Sequence, residues 1–215
     1  MFDNIDVHFD SLNNEEQGES IVNVRELVTE SYNPYEINVI KVKPKVEMDQ
    51  SVKTSINLPE FMFSNMIPTL EEKAIDSNVE IGLEKLNRDP SLLLTSSDPI
   101  DYKGKNKQRI KGILCEYVGA SFFKENCDYF RKSVIVTESL LGSRGAFRVI
   151  CTYVIKPKTD DRQRHSKHIL KAIALDPYHL FLPGAHNNLT PEEMMEKVYS
   201  EVCEYSEHIG KMIKI

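Results

Sequence analysis

From Phe147 to Lys156 the chain alternates, with Phe147, Val149, Cys151, Tyr153 and Ile155 interleaved with Arg148, Ile150, Thr152, Val154 and Lys156. A period of two over such a length is a strand signal, because successive side chains of an extended chain point to opposite faces. The run from His168 to Leu175 alternates as well. Between them lies KPKTDDRQRHSK, too polar to pack inside and too long for a two-residue turn. The stretch 141–184 therefore predicts a long antiparallel hairpin with an exposed, strongly basic tip, and whatever fold the chain adopts must pack both of its strands.

The remaining elements group around this hairpin as an α+β fold with a mainly antiparallel sheet. Strands are expected near 36–46, 110–118 and 133–137, with the hairpin supplying 146–156 and 168–182. Pro44 makes the first an edge or terminating strand, since proline cannot donate to a ladder, and Lys41, Lys43 and Lys45 read as protection of that edge against self-pairing. The segment 47–76, with Pro59, Pro68 and the run LPEFMFSNMIP, reads as irregular chain packed on the core.

Three helices are expected to cover the sheet. Ser77 caps Asn78–Asn87, which carries Val79, Leu83 and Leu86 on one face. The segment 121–131 sets Phe123, Cys127 and Phe130 near one face. Thr190-Pro191-Glu192-Glu193 is a full helix start, with threonine at the cap, proline in the first turn and glutamate three residues after the cap. From there Met195, Val198, Val202, Tyr205, Ile209 and Met212 step by three and four, predicting an amphipathic helix to about Lys211. Docking of that stripe on the sheet is preferred to a homodimer seam, for which only about three heptads are available.

With 215 residues the chain fits one domain. An acidic arm at 1–20, an acidic part at 21–100 and a basic, β-rich part with the C-terminal helix at 101–215 suggest one compact domain over 21–215. No apolar run approaches the length of a membrane span. The first twenty residues hold six acids and no base, the opposite of a secretory or transit leader, so a cytoplasmic protein is expected. Cys115, Cys127, Cys151 and Cys203 lie far apart with no CxxC pair, which predicts reduced thiols rather than a zinc site or a disulfide framework.

The net charge of −6 hides a partition: residues 101–172 carry 16 basic and 7 acidic side chains, whereas residues 1–100 carry 8 and 19. A basic middle in an acidic chain points to a polyanion partner, unless the acidic ends fold over it. Candidate nucleic-acid-binding residues are Lys103, Lys105, Lys107, Arg109 and Lys111 along a loop-to-strand passage, Arg144 in the GSRG turn, and Arg162, Arg164 and Lys167 at the hairpin tip. The GSRG turn lacks the spacing of a phosphate loop. The leading expectation is a nucleic-acid-binding accessory or regulatory protein that uses no cofactor.

Two other classes compete. Four of the six histidines, His165, His168, His179 and His186, fall in or near the hairpin. A metal site made from them would need a carboxylate such as Asp176, and the spacing of His165 and His168 suits a helix rather than a turn entering a strand. A metal-independent endoribonuclease or toxin-like nuclease would instead use His165 or His168 as general base, with neighbouring cations steadying the phosphorane charge. The third class is a protein–protein inhibitor or adaptor acting through the acidic amino-terminal part.

Overall fold

The computed structural model describes residues 43–101, 104, 106–138, 144–157, 166–186 and 188–214. In chain order they form β1 (Lys45–Met48), β2 (Asn57–Leu58), β3 (Phe63–Ser64), β4 (Met66–Ile67), α1 (Ser77–Arg88) and β5 (Ser97–Pro99). There follow α2 (Lys107–Val118), α3 (Ala120–Asn126), β6 (Phe130–Glu138), β7 (Arg144–Lys156), β8 (Lys167–Asp176), α4 (Pro191–Val202) and β9 (Glu207–His208). Short 3-10 turns fill several of the intervals.

Five strands make the main sheet in the order β1-β8-β7-β6-β5. β7 is central and antiparallel to both neighbours, running with β8 from Arg148↔Asp176 to Lys156↔Lys167 and with β6 from Phe130↔Thr152 to Glu138↔Arg144. A register shift between Ile150 and Cys151 marks a bulge in the β7–β8 ladder. β1 pairs parallel to β8, so the sheet is mixed, with β1 at one edge as Pro44 implies. Residues 36–42 of the strand expected there lie outside the described residues.

Alternation along β7 and β8 feeds two cores on opposite faces. On one face Phe147, Val149, Cys151, Leu170, Ala172 and Leu175 pack with Val79, Leu83 and Leu86 of α1 and with Ile209 and Ile213 near the C-terminus. On the other, Ile150, Ile173, Ala174 and Phe130 meet Ile110, Ile113 and Leu114 of α2, Phe123 of α3 and Val202 of α4. Phe63 and Ile67, from the irregular run after Pro59, are 1% and 2% exposed, which places that run in the core as expected. Asp76, rather than Ser77, caps α1 by accepting from the Asn78 N–H.

Four expectations are corrected. The helix expected over 121–131 ends at Asn126, and Phe130 opens β6 and reaches its core from the sheet. Residues 110–118 form helix, not strand. Ile110, Ile113, Leu114 and Tyr117 follow the i, i+3, i+4, i+7 spacing that lets one helical face enter a core, and Gly119, at φ 80°, ends the helix in a conformation that favours glycine. β8 stops at Asp176, because Pro177 cannot donate and the chain turns there. The C-terminal helix has its full capping box at Thr190 and Glu193 but ends at Val202, not Lys211. Met195, Val198, Val202 and Tyr205 belong to one core and Ile209 and Met212 to the other, so the chain leaves the helix, pairs β9 with β4 and crosses to the opposite face. A single straight helix could serve only one of those faces.

Candidate functional site

The basic residues picked out by sequence do not share one environment. Lys107 and Lys111 are exposed one turn apart on α2, and Lys167 is exposed at the start of β8. Lys103, Lys105, Arg162, Arg164 and His165 lie outside the described residues, and Arg144 is described only through its backbone pairing with Glu138. Lys167 stands directly opposite Lys156, also exposed, so the last described pair of the β7–β8 ladder sets like charges face to face.

Arg109 has a different use. It leaves α2 inward, donating to the carbonyls of Phe61 (2.6 Å), Phe181 (3.0 Å), Met62 (3.4 Å) and Leu180. Burial pulls its pKa below the usual arginine value, opposed by the field of Asp176. A guanidinium with that many acceptors organises chain rather than receiving an external phosphate. Sequence could not reveal this, because the acceptors lie 47–72 residues away.

What Arg109 organises is the loop 177–186 that follows β8. Arg148 of β7 takes the next carbonyl, donating to Leu182 O, so two arginines hold three consecutive carbonyls, Leu180 to Leu182. Asp176, fully buried at the end of β8, accepts from the Phe181 N–H at 3.1 Å. Its Oδ2 lies 3.8 Å from Arg148 Nη1 and accepts no hydrogen bond among the described residues. His179 sits in the left-handed region, φ 62°, and its Nε2 donates to Ala146 O at 2.6 Å. A non-glycine residue held there is strained backbone of the kind found at binding sites.

Between this loop and α4 opens a cleft of about 320 Å³. Its polar lining is Arg148, Tyr178, His179 and His186, and its apolar lining includes Leu180, Met194, Met195 and Val198. No carboxylate among the described residues lines it. His179, His186 and Asp176 entered the metal reading together with His165 and His168; the structure brings His179 and His186 to one cleft and sets Asp176 against Arg148, and no metal-binding cluster occurs among the described residues.

His168, the alternative catalytic residue, is 3% exposed. Tyr153 Oη is 2.8 Å from its Nδ1 and Ser166 Oγ 3.2 Å from its Nε2, so hydroxyls occupy both ring nitrogens. Burial moves its pKa below the ordinary histidine value and keeps the ring neutral near pH 7. Arg131 lies over the Tyr153 ring at 5.3 Å, a cation–π contact that closes the group. Nothing local in the sequence marks Ser166 or Tyr153 as partners of His168; the hairpin pairing brings residue 153 beside the start of the second strand.

The four thiols are free, and Cys151, buried between the strands, has its pKa pushed up to about 12 by desolvation, which makes it an inert hydrophobe. No described helix is long and apolar enough to cross a membrane. No family model matches the chain, and neither a curated protein nor a solved structure matches it.

Proposed function

We propose that this chain is a nucleic-acid-binding accessory or regulatory protein that grips phosphates with the hairpin arm leaving the β7–β8 ladder. The observation that carries the reading is the Lys156↔Lys167 pair. Like charges directly opposed across an antiparallel ladder destabilise it, and both ammonium groups are exposed with no described acid paired to either. A polyanion bound along the arm removes that repulsion. In sequence the arm continues the same sign with Lys158, Arg162 and Arg164 against Asp160 and Asp161.

The structure divides the basic set in a way that favours a local grip. Arg109 is engaged inside, while Lys107, Lys111, Lys156 and Lys167 remain at the surface. Binding is favoured over turnover because His168, buried and neutral, has both nitrogens engaged by Tyr153 and Ser166 and no open face for a substrate hydroxyl.

A titration of single- and double-stranded DNA and RNA at about 50 and 200 mM salt tests the reading. With about four phosphate contacts, affinity should fall on the order of a hundredfold between the two. Affinity that ignores salt, or no binding to any of the four, sinks it, and product analysis of the same samples reports cleavage.

A further inference from the structure

We propose that the cleft between the 177–186 loop and α4 binds a nucleoside monophosphate, with the phosphate on Arg148 and the base against Met194 and Met195. The proposal stands apart from nucleic-acid binding by the arm, since it uses a different surface.

Charge gives the class of ligand. In a chain of net charge −6, the cleft presents the Arg148 guanidinium and, among the described residues, no acid. Geometry adds the means of recognition. Among the described residues Arg148 donates to one carbonyl, Leu182 O, and Asp176 stands behind it at ion-pair rather than hydrogen-bond distance. The fork is thereby aimed while keeping donors of its five N–H groups for a ligand. His179 is fixed by its Nε2–H donation to Ala146 O, which leaves Nδ1 of the neutral ring as an acceptor, so this side chain shapes the cleft and the phosphate falls to the other polar groups. His186 contributes an exposed second imidazole.

A guanidinium fork and an exposed imidazole lining the same cleft suit the terminal oxygens of a phosphomonoester better than a diester within a strand. The opposite wall then decides what the phosphate is attached to. Two thioethers are polarisable surfaces that favour a flat ring over a branched aliphatic group. A volume of about 320 Å³ lies at the small end of ligand clefts, enough for one nucleotide and too little for two.

The test is calorimetric titration of the full-length chain at pH 7 with adenosine 5′-monophosphate, adenosine and inorganic phosphate. The nucleotide should bind at least about tenfold more tightly than either fragment, as expected when charge-assisted and apolar contacts combine. Met194→Glu places an acid in the wall without entering the core and should weaken the nucleotide by about tenfold or more through like-charge repulsion. His186→Ala, at an exposed position, should weaken it about threefold or more by removing one donor. Arg148→Lys keeps a cation but loses the fork, and is read only beside a melting curve because Leu182 depends on it. No saturable binding of the nucleotide at millimolar concentration overturns the proposal. So does adenosine binding as tightly as its phosphate, phosphate alone binding as tightly as the nucleotide, or affinity untouched by both Met194→Glu and His186→Ala.

Discussion

A Cβ placed on Gly82 of α1 would stand 2.3 Å from Cγ and 2.4 Å from Cβ of Phe147 in β7. Helix α1 thus lies against the sheet at the distance a missing side chain permits, and Phe147, fully buried, has no room to swing its ring root away. Gly82→Ala gains about 1 kcal/mol of helix propensity but forces overpacking that costs about 1–3 kcal/mol. The expected result is a lower urea midpoint than wild type. An equal or higher midpoint shows that α1 can lift without loss, and that the packing is looser than these distances say.

Arg109 and Lys111 sit two residues apart on α2 and should respond oppositely to truncation. Arg109→Met leaves the carbonyls of Phe61, Leu180 and Phe181 without their charged donor and is expected to cost on the order of 3 kcal/mol. Lys111→Ala should leave stability within about 0.5 kcal/mol, as surface changes do. Denaturant melts of the two variants decide the matter; similar losses would mean that the guanidinium is replaceable by water.

That contrast shows where sequence stops being informative. The capping box at Thr190 is local chemistry within four residues, and it forms as expected. Strand β7 was legible because alternation is its own evidence. Helix α2 was equally legible in principle, since Ile110, Ile113, Leu114 and Tyr117 have helical spacing, but the β-branched and aromatic content of IKGILCEYV favours strand on composition, and a short apolar run carries both signals. The end of α4 was not legible. The three-and-four stepping continues through Ile209 and Met212, and only the presence of two cores on opposite faces makes the chain leave the helix at Val202. The candidate cleft was legible only as a list of residues. His179 and His186 stood out, but Arg148 read as one more polar partner in an alternating strand, and nothing local says that it faces a loop 34 residues later.

His168 should leave a mark on the pH dependence of stability. Its folded pKa is lowered by burial, whereas in the unfolded chain it titrates near 6.5. Between the folded value and about 6.5 the unfolded chain therefore binds more protons, and stability must fall as pH is lowered through that range. Above about 7 the contribution is fully present. Urea midpoints at pH 7.5 and 5.5 should differ more in wild type than in His168→Asn, which keeps hydrogen-bonding capacity but cannot titrate. Equal differences in the two proteins would show that the ring gains its proton as easily folded as unfolded.

The Lys156–Lys167 pair permits a test in which stability and binding are driven apart. Lys156→Glu sets a carboxylate opposite Lys167, converting a repulsive cross-strand pair into an attractive one, so the urea midpoint should rise. The same change removes a cation from the arm and adds an anion, so nucleic-acid affinity should fall and the slope of log affinity against log salt should shrink by at least about one. A variant with both Lys156→Glu and Lys167→Glu restores like-charge repulsion with the sign reversed. Its midpoint should return toward that of wild type, while its affinity falls further. Stability and affinity then move in opposite directions in the single variant and independently in the double, a pattern that a merely structural role for the lysines cannot produce. If affinity and salt slope stay at wild-type values in the double variant, the arm does not hold the nucleic acid, and the exposed Lys107 and Lys111 of α2 become the residues to test.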